Sequence, residues 1–123
     1  MSHRVVFLDR DTVAPDVTVR RPDFDHEWEE FGKTSADQVL ERLKGATIAI
    51  TNKVPLREDV LKQLPDLKMI AVAATGTDVI DLAYCKDNGI IVSNIRGYAV
   101  NTVPEHTFAL ILSLSRSIGG YRE

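Results

Sequence analysis

Met69-Ile-Ala-Val-Ala-Ala-Thr-Gly-Thr-Asp78 passes from an apolar run into polar turn residues with no linker between them. The run reads as a buried strand, and the helical pattern that begins at Asp78 makes the whole a strand–turn–helix unit. A glycine between two threonines at such a turn leaves backbone N–H groups bare beside two hydroxyls, which suits a small anion such as a carboxylate. The same residues also make an ordinary turn with no ligand, and spacing alone does not separate the two readings.

The alternation of strand and helix extends outward in both directions. Arg4–Asp9 is apolar on both faces and predicts a buried parallel strand, and His26–Phe31 alternates like a more exposed one. Ser35 is the expected N-cap of a helix over Ala36–Leu43 that Gly45 closes. Thr47–Ile50 predicts a third strand. Pro55 is expected to open a helix whose stripe is Leu56, Val60, Leu61 and Leu64, with Pro65 as its stop.

Beyond the opening unit, Lys68–Ala73 is the fourth strand and Asp78–Asp87 a helix ended by Asn88-Gly89. Ile90–Val92 is a fifth strand, and a long helix spans about Asn101 to Ser117, apolar nearly all round and ended by Gly119-Gly120. Strands alternating with helices and joined by right-handed crossovers imply an α/β fold. It is a flavodoxin-like, doubly wound parallel sheet of about five strands with a C-terminal helix.

Composition narrows the function. With 123 residues and 44% hydrophobic content the chain can bury one core, and its net charge of -3 offers no basic surface for nucleic acid or anionic lipid. No apolar run approaches a membrane span, and no signal peptide is read in Met1-Ser-His-Arg. The lone Cys85 cannot pair internally and fits a reducing cytoplasm; it reads as helix packing rather than as a nucleophile.

Ligands of open α/β sheets sit beyond the carboxyl ends of the strands. Here those ends carry Asp9-Arg10-Asp11, Thr51-Asn52-Lys53, Ala74–Thr77 and Ser93-Asn94, a polar set in which Lys53 brings charge and Gly76 and Thr77 bring backbone donors. Asp9-Arg-Asp-Thr12 also looks like the Asp-x-Asp-x-Thr signature of haloacid-dehalogenase-type phosphatases, with Asp9 as nucleophile and Asp11 as acid. That family needs a late acidic pair, and Asp78 and Asp81 are expected inside a helix. A response-regulator receiver is excluded, because Thr51-Asn52 and Ser93-Asn94 stand where it needs an aspartate and a lysine.

Three segments taken in order are specific: Ala74–Asp81, Asn88–Asn94, and Gly97–His106 opening the long helix. From Lys53 onward this order resembles the D-isomer-specific 2-hydroxyacid dehydrogenases. The opening Phe7–Thr12 is most similar to their glycerate dehydrogenase (hydroxypyruvate reductase) branch. The resemblance implies a substrate-binding domain over residues 1–100 and an interdomain helix over residues 101–118 leading to a Rossmann cofactor domain. It implies that Thr75, Gly76 and Thr77 hold the substrate carboxylate, with Asn52 and Lys53 in the same pocket. Thr102 and Val103 would face the nicotinamide of NAD or NADP. Glu105 and His106 would be helix-start and hinge residues, with Pro104 in place of the family's commoner alanine. His3 and His26 gain no role.

The resemblance further implies a small 2-oxo or 2-hydroxy acid as partner and a homodimer for the intact enzyme. The family's arginine, general-acid histidine and glutamate, its Gly-x-Gly-x-x-Gly turn and its returning C-terminal helix have no counterparts in the 123 residues. No catalytic residue is therefore assigned. The chain alone is expected not to reduce hydroxypyruvate or glyoxylate and not to bind a dinucleotide tightly. A stand-alone binding module, docking through its last helix, is the alternative reading.

Overall fold

The computed structural model describes residues 2–122; Met1 and Glu123 lie outside them. Five strands form one parallel sheet: β1 (His3–Phe7), β2 (His26–Glu30), β3 (Ile48–Thr51), β4 (Met69–Val72) and β5 (Ile91–Ser93). Their order across the sheet is β2-β1-β3-β4-β5, the flavodoxin-like order expected from the sequence.

Register divides the strands into two faces. Val6 pairs with Ala49, Ala49 with Ile70 and Ile70 with Val92, so these side chains form one row across the sheet. That row packs against α1 (Val39–Leu43), α2 (Glu58–Leu61) and α3 (Leu82–Asp87), whose Val39, Leu43, Leu61 and Cys85 complete a single core. Each such buried aliphatic side chain contributes about 1.5–3 kcal/mol. On the other face Phe7, Ile50 and Ala71 are in register, and only Phe7 is fully buried. The segment joining β1 to β2, which begins with a 3-10 turn over Arg10–Thr12, carries Val13 and Val19 to this face. They leave an apolar trough of about 340 Å³ over Phe7, Ile50 and Ala71.

Three helices start later than periodicity predicts. Residues 36–38 form turns, and the Ser35 hydroxyl donates to the Asp37 carboxylate instead of capping a helix, so α1 begins at Val39. That hydrogen bond, with the Asp37 N–H and nearby Arg42, lowers the Asp37 pKa. Leu56 is not helical: its N–H donates to Val79 at 2.9 Å and its carbonyl accepts from Asp81 at 3.0 Å, a parallel bridge centred on Ile80. The bridge pulls both loops into extended backbone. It delays α2 to Glu58 and α3 to Leu82, where Asp81 becomes the N-cap by accepting from the Tyr84 N–H. Gly45 at φ +74° and Gly89 at φ +70° close α1 and α3 in the left-handed region, as the sequence leads one to expect.

The long helix α4 (Thr102–Ser115) is followed by a break at Ser117, whose φ of 52° is left-handed. Gly119 and Gly120 do not end it; they lie inside the short α5 (Ile118–Tyr121) that follows. Every residue of α4 except Ser113 is exposed, including Phe108 and Leu114 at 63% and 80%. A helix apolar nearly all round therefore stands uncovered by the described residues.

Candidate active site

The polar rim is built by short hydrogen bonds that link four strand ends in series. Asp9, at the end of β1, is 4% exposed, and its carboxylate faces the loop after β3. Its Oδ1 accepts the Asn52 N–H at 2.9 Å, and its Oδ2 accepts the same N–H at 3.1 Å and the Lys53 N–H at 2.6 Å. The buried Thr51 hydroxyl closes this loop, accepting from the Val54 N–H and donating to the Val54 carbonyl, both at 3.0 Å. The loop then reaches the turn after β4 through the Leu56–Ile80 bridge and through Arg57, which donates to the Asp78 carbonyl.

The turn after β4 is tied in its own right to the end of β5. The Thr75 hydroxyl donates to the Ile95 carbonyl at 2.7 Å, the Asn94 amide donates to the Thr75 carbonyl at 2.7 Å, and the Ile95 N–H donates to Ala74. These bonds consume the Thr75 hydroxyl and fix the approach to Gly76. Among the described residues no acceptor meets the backbone N–H of Gly76 or of Thr77. Gly76 is exposed and Thr77 half-buried. A Cβ at Gly76 would lie 3.2 Å from Asp78 Oδ1, closer than ordinary packing, so glycine leaves this approach open.

These bonds determine what each expected residue can offer. The backbone N–H groups of Asn52 and Lys53 are already taken by Asp9, so the donors these residues have left are on their side chains, and the exposed Lys53 ammonium has no carboxylate partner among the described residues. At Gly76 and Thr77 the backbone N–H groups are themselves free donors among the described residues. Lys53 lines a depression of about 320 Å³ with Asp9, Thr12, Lys33 and Thr34, whose lining includes no residue of the Thr75–Thr77 turn. Thr102 and Val103 stand exposed in the first turn of α4, and no hydrogen bond joins them to the rim. Pro104 and Glu105 share that turn, where a missing N–H costs little, and His106 begins the next one.

Other side chains are accounted for without chemistry. Cys85 is buried against the core, and burial, helped by nearby Asp81, raises its thiol pKa. That is the packing role expected for it and the reverse of what a nucleophile needs. His3 meets Thr47 and the Phe24 ring, and His26 meets the Phe24 carbonyl. The Asp9 anchor was not visible in the sequence; the only hint was an aspartate ending an otherwise apolar strand.

The chain matches the family model described as "D-isomer specific 2-hydroxyacid dehydrogenase, catalytic domain" over residues 6–117. It is 57% identical over 122 residues to the glycerate dehydrogenase of Methylorubrum extorquens, covering 98% of this chain and 38% of that protein. Among solved structures it is similar to D-lactate dehydrogenase from Aquifex aeolicus complexed with NAD and lactic acid. That match has 32% identity and a TM-score of 0.67 over 89% of this chain and 33% of that one. An acyclic imino acid reductase in complex with NADPH and D-Arg matches with 26% identity and a TM-score of 0.73, over 98% of this chain and 39% of that one. The chain thus spans less than two-fifths of the length of these relatives. The phosphatase reading of Asp9 and Asp11 falls with these matches, and Asp9 spends both carboxylate oxygens on backbone N–H groups.

Proposed function

The chain belongs to the D-isomer-specific 2-hydroxyacid dehydrogenases, and on that premise we propose that it is the substrate-binding part of an NAD(P)-dependent oxidoreductase interconverting a D-2-hydroxy acid of glycerate type and its 2-oxo acid. The observation that carries the reading is the pair of unpartnered N–H groups at Gly76 and Thr77, fixed at the carboxyl edge of the sheet. The substrate carboxylate rests on that pair, and the Lys53 ammonium and Asn52 amide approach it from the neighbouring loop. Thr75 acts through its bonds to Asn94 and Ile95, which hold the turn in place. Charge-assisted bonds of this kind contribute about 1.5–3 kcal/mol each.

Nicotinamide, when bound, exchanges a hydride with C2 of the acid. Thr102 and Val103 suffice to line one side of it and not to hold a dinucleotide, since the sequence has no Gly-x-Gly-x-x-Gly turn. No group of this chain is assigned as the proton donor. We place residues 101–118 between the substrate-binding part and a cofactor domain. The exposed apolar surface of α4 supports burial of that helix in the intact protein, which we read as a homodimer. Among the described residues no helix is long and apolar enough to cross a membrane. The unpaired Cys85 supports a cytoplasmic setting.

The test is titration of the ¹⁵N-labelled 123-residue chain with hydroxypyruvate. The amide signals of Gly76 and Thr77 are expected to shift saturably with a Kd of about 1 mM, the affinity that about 4 kcal/mol of binding confers. Absence of any shift at these two amides at about ten times that concentration would falsify the carboxylate site.

A further inference from the structure

The buried carboxylate of Asp9 takes no part in the function proposed above. Among the described residues no cation pairs with it, and its only side-chain partners are the N–H groups of Asn52 and Lys53. A buried carboxylate is costly unless such bonds satisfy it, and a hydroxyl suffices to close a turn. Here the turn is already closed, because Thr51 binds both the N–H and the carbonyl of Val54. What Asp9 adds is the orientation of the two residues between them. It does so through the shortest of the three bonds, 2.6 Å to the Lys53 N–H.

We propose that Asp9 is a positioning residue. By fixing the Asn52–Lys53 backbone before substrate arrives, it holds their side chains where they meet the carboxylate on Gly76 and Thr77. The inference rests on the proposed substrate site. It adds a residue from the segment just beyond β1 to that site. Preorganisation of this kind lowers the ordering cost that binding would otherwise carry.

Two measurements on the 123-residue chain test it. In Asp9→Asn, hydroxypyruvate is expected to bind about tenfold more weakly. The Gly76 and Thr77 amides should still shift at saturation, while the Asn52 and Lys53 amides leave their wild-type positions before ligand is added. A folded Asp9→Asn chain with wild-type affinity overturns the proposal. Asp9→Glu keeps the charge and displaces it by one carbon, so it serves with the same expectation if the asparagine variant does not fold. The second measurement needs no variant. Hydrogen exchange at Asn52 and Lys53 is expected to be slow in the free wild-type chain and unchanged by saturating hydroxypyruvate. Exchange that is fast when free and slows only with ligand would mean that the substrate orders the loop, and Asp9 does not. If wild-type Gly76 and Thr77 show no response to ligand, the substrate site itself fails, and the positioning role falls with it.

Discussion

Thr77→Pro is expected to weaken hydroxypyruvate binding about ten- to a hundredfold, the range that follows from losing one charge-assisted hydrogen bond of about 1.5–3 kcal/mol. Proline deletes the N–H and leaves the carbonyl, which still accepts from Ile80 at 3.0 Å to keep the following turn. Thr77→Ala separates backbone from side chain. It removes the hydroxyl, retains the N–H, and is expected to change affinity by less than about threefold. Chemical-shift titration of both variants checks the pair, with circular dichroism reporting that each is folded. Equal losses in the two variants would transfer the role from the backbone to the hydroxyl.

Thr51→Val is expected to lower the unfolding free energy by about 2–3 kcal/mol, although valine has nearly the same shape and is more apolar. Thr51 is fully buried, and one hydroxyl serves both polar groups of Val54. A methyl in its place leaves a buried donor and a buried acceptor unpaired. Thr51→Ser keeps the hydroxyl and loses only a methyl, so it is expected to cost about 1 kcal/mol. Urea unfolding of the three chains gives the ranking. A valine variant as stable as wild type would mean that water or a rearranged loop satisfies Val54.

The sheet was legible because its signal is local. Apolar runs at Val5–Leu8, Ile48–Ile50 and Met69–Val72 place all the central strands, and crossover handedness leaves few orders to choose among. Helix starts were less legible because a non-local contact decides them. Leu56 sits at helical spacing from Val60, yet its backbone bonds to Val79 and Asp81 draw it into a bridge that no window of neighbouring residues reveals. Ser117 is similar: two glycines nearby advertise a helix end, while the break falls on a serine in the left-handed region. At the site, the glycine turn announced itself by composition. The partition of its donors did not. That Asn52 and Lys53 have their N–H groups taken depends on Asp9, 43 and 44 residues distant in sequence.

The central claim, that this chain is the substrate-binding part of a D-2-hydroxyacid dehydrogenase, is tested most directly by exchange. The 123 residues would replace the matching segment of the Methylorubrum extorquens glycerate dehydrogenase, which they match at 57% identity. NADH oxidation with hydroxypyruvate would then be followed. The predicted result is an enzyme with kcat/KM within about tenfold of the parent, since the exchange leaves the rim donors in place. A folded, NADH-binding hybrid that does not turn over hydroxypyruvate would contradict the claim.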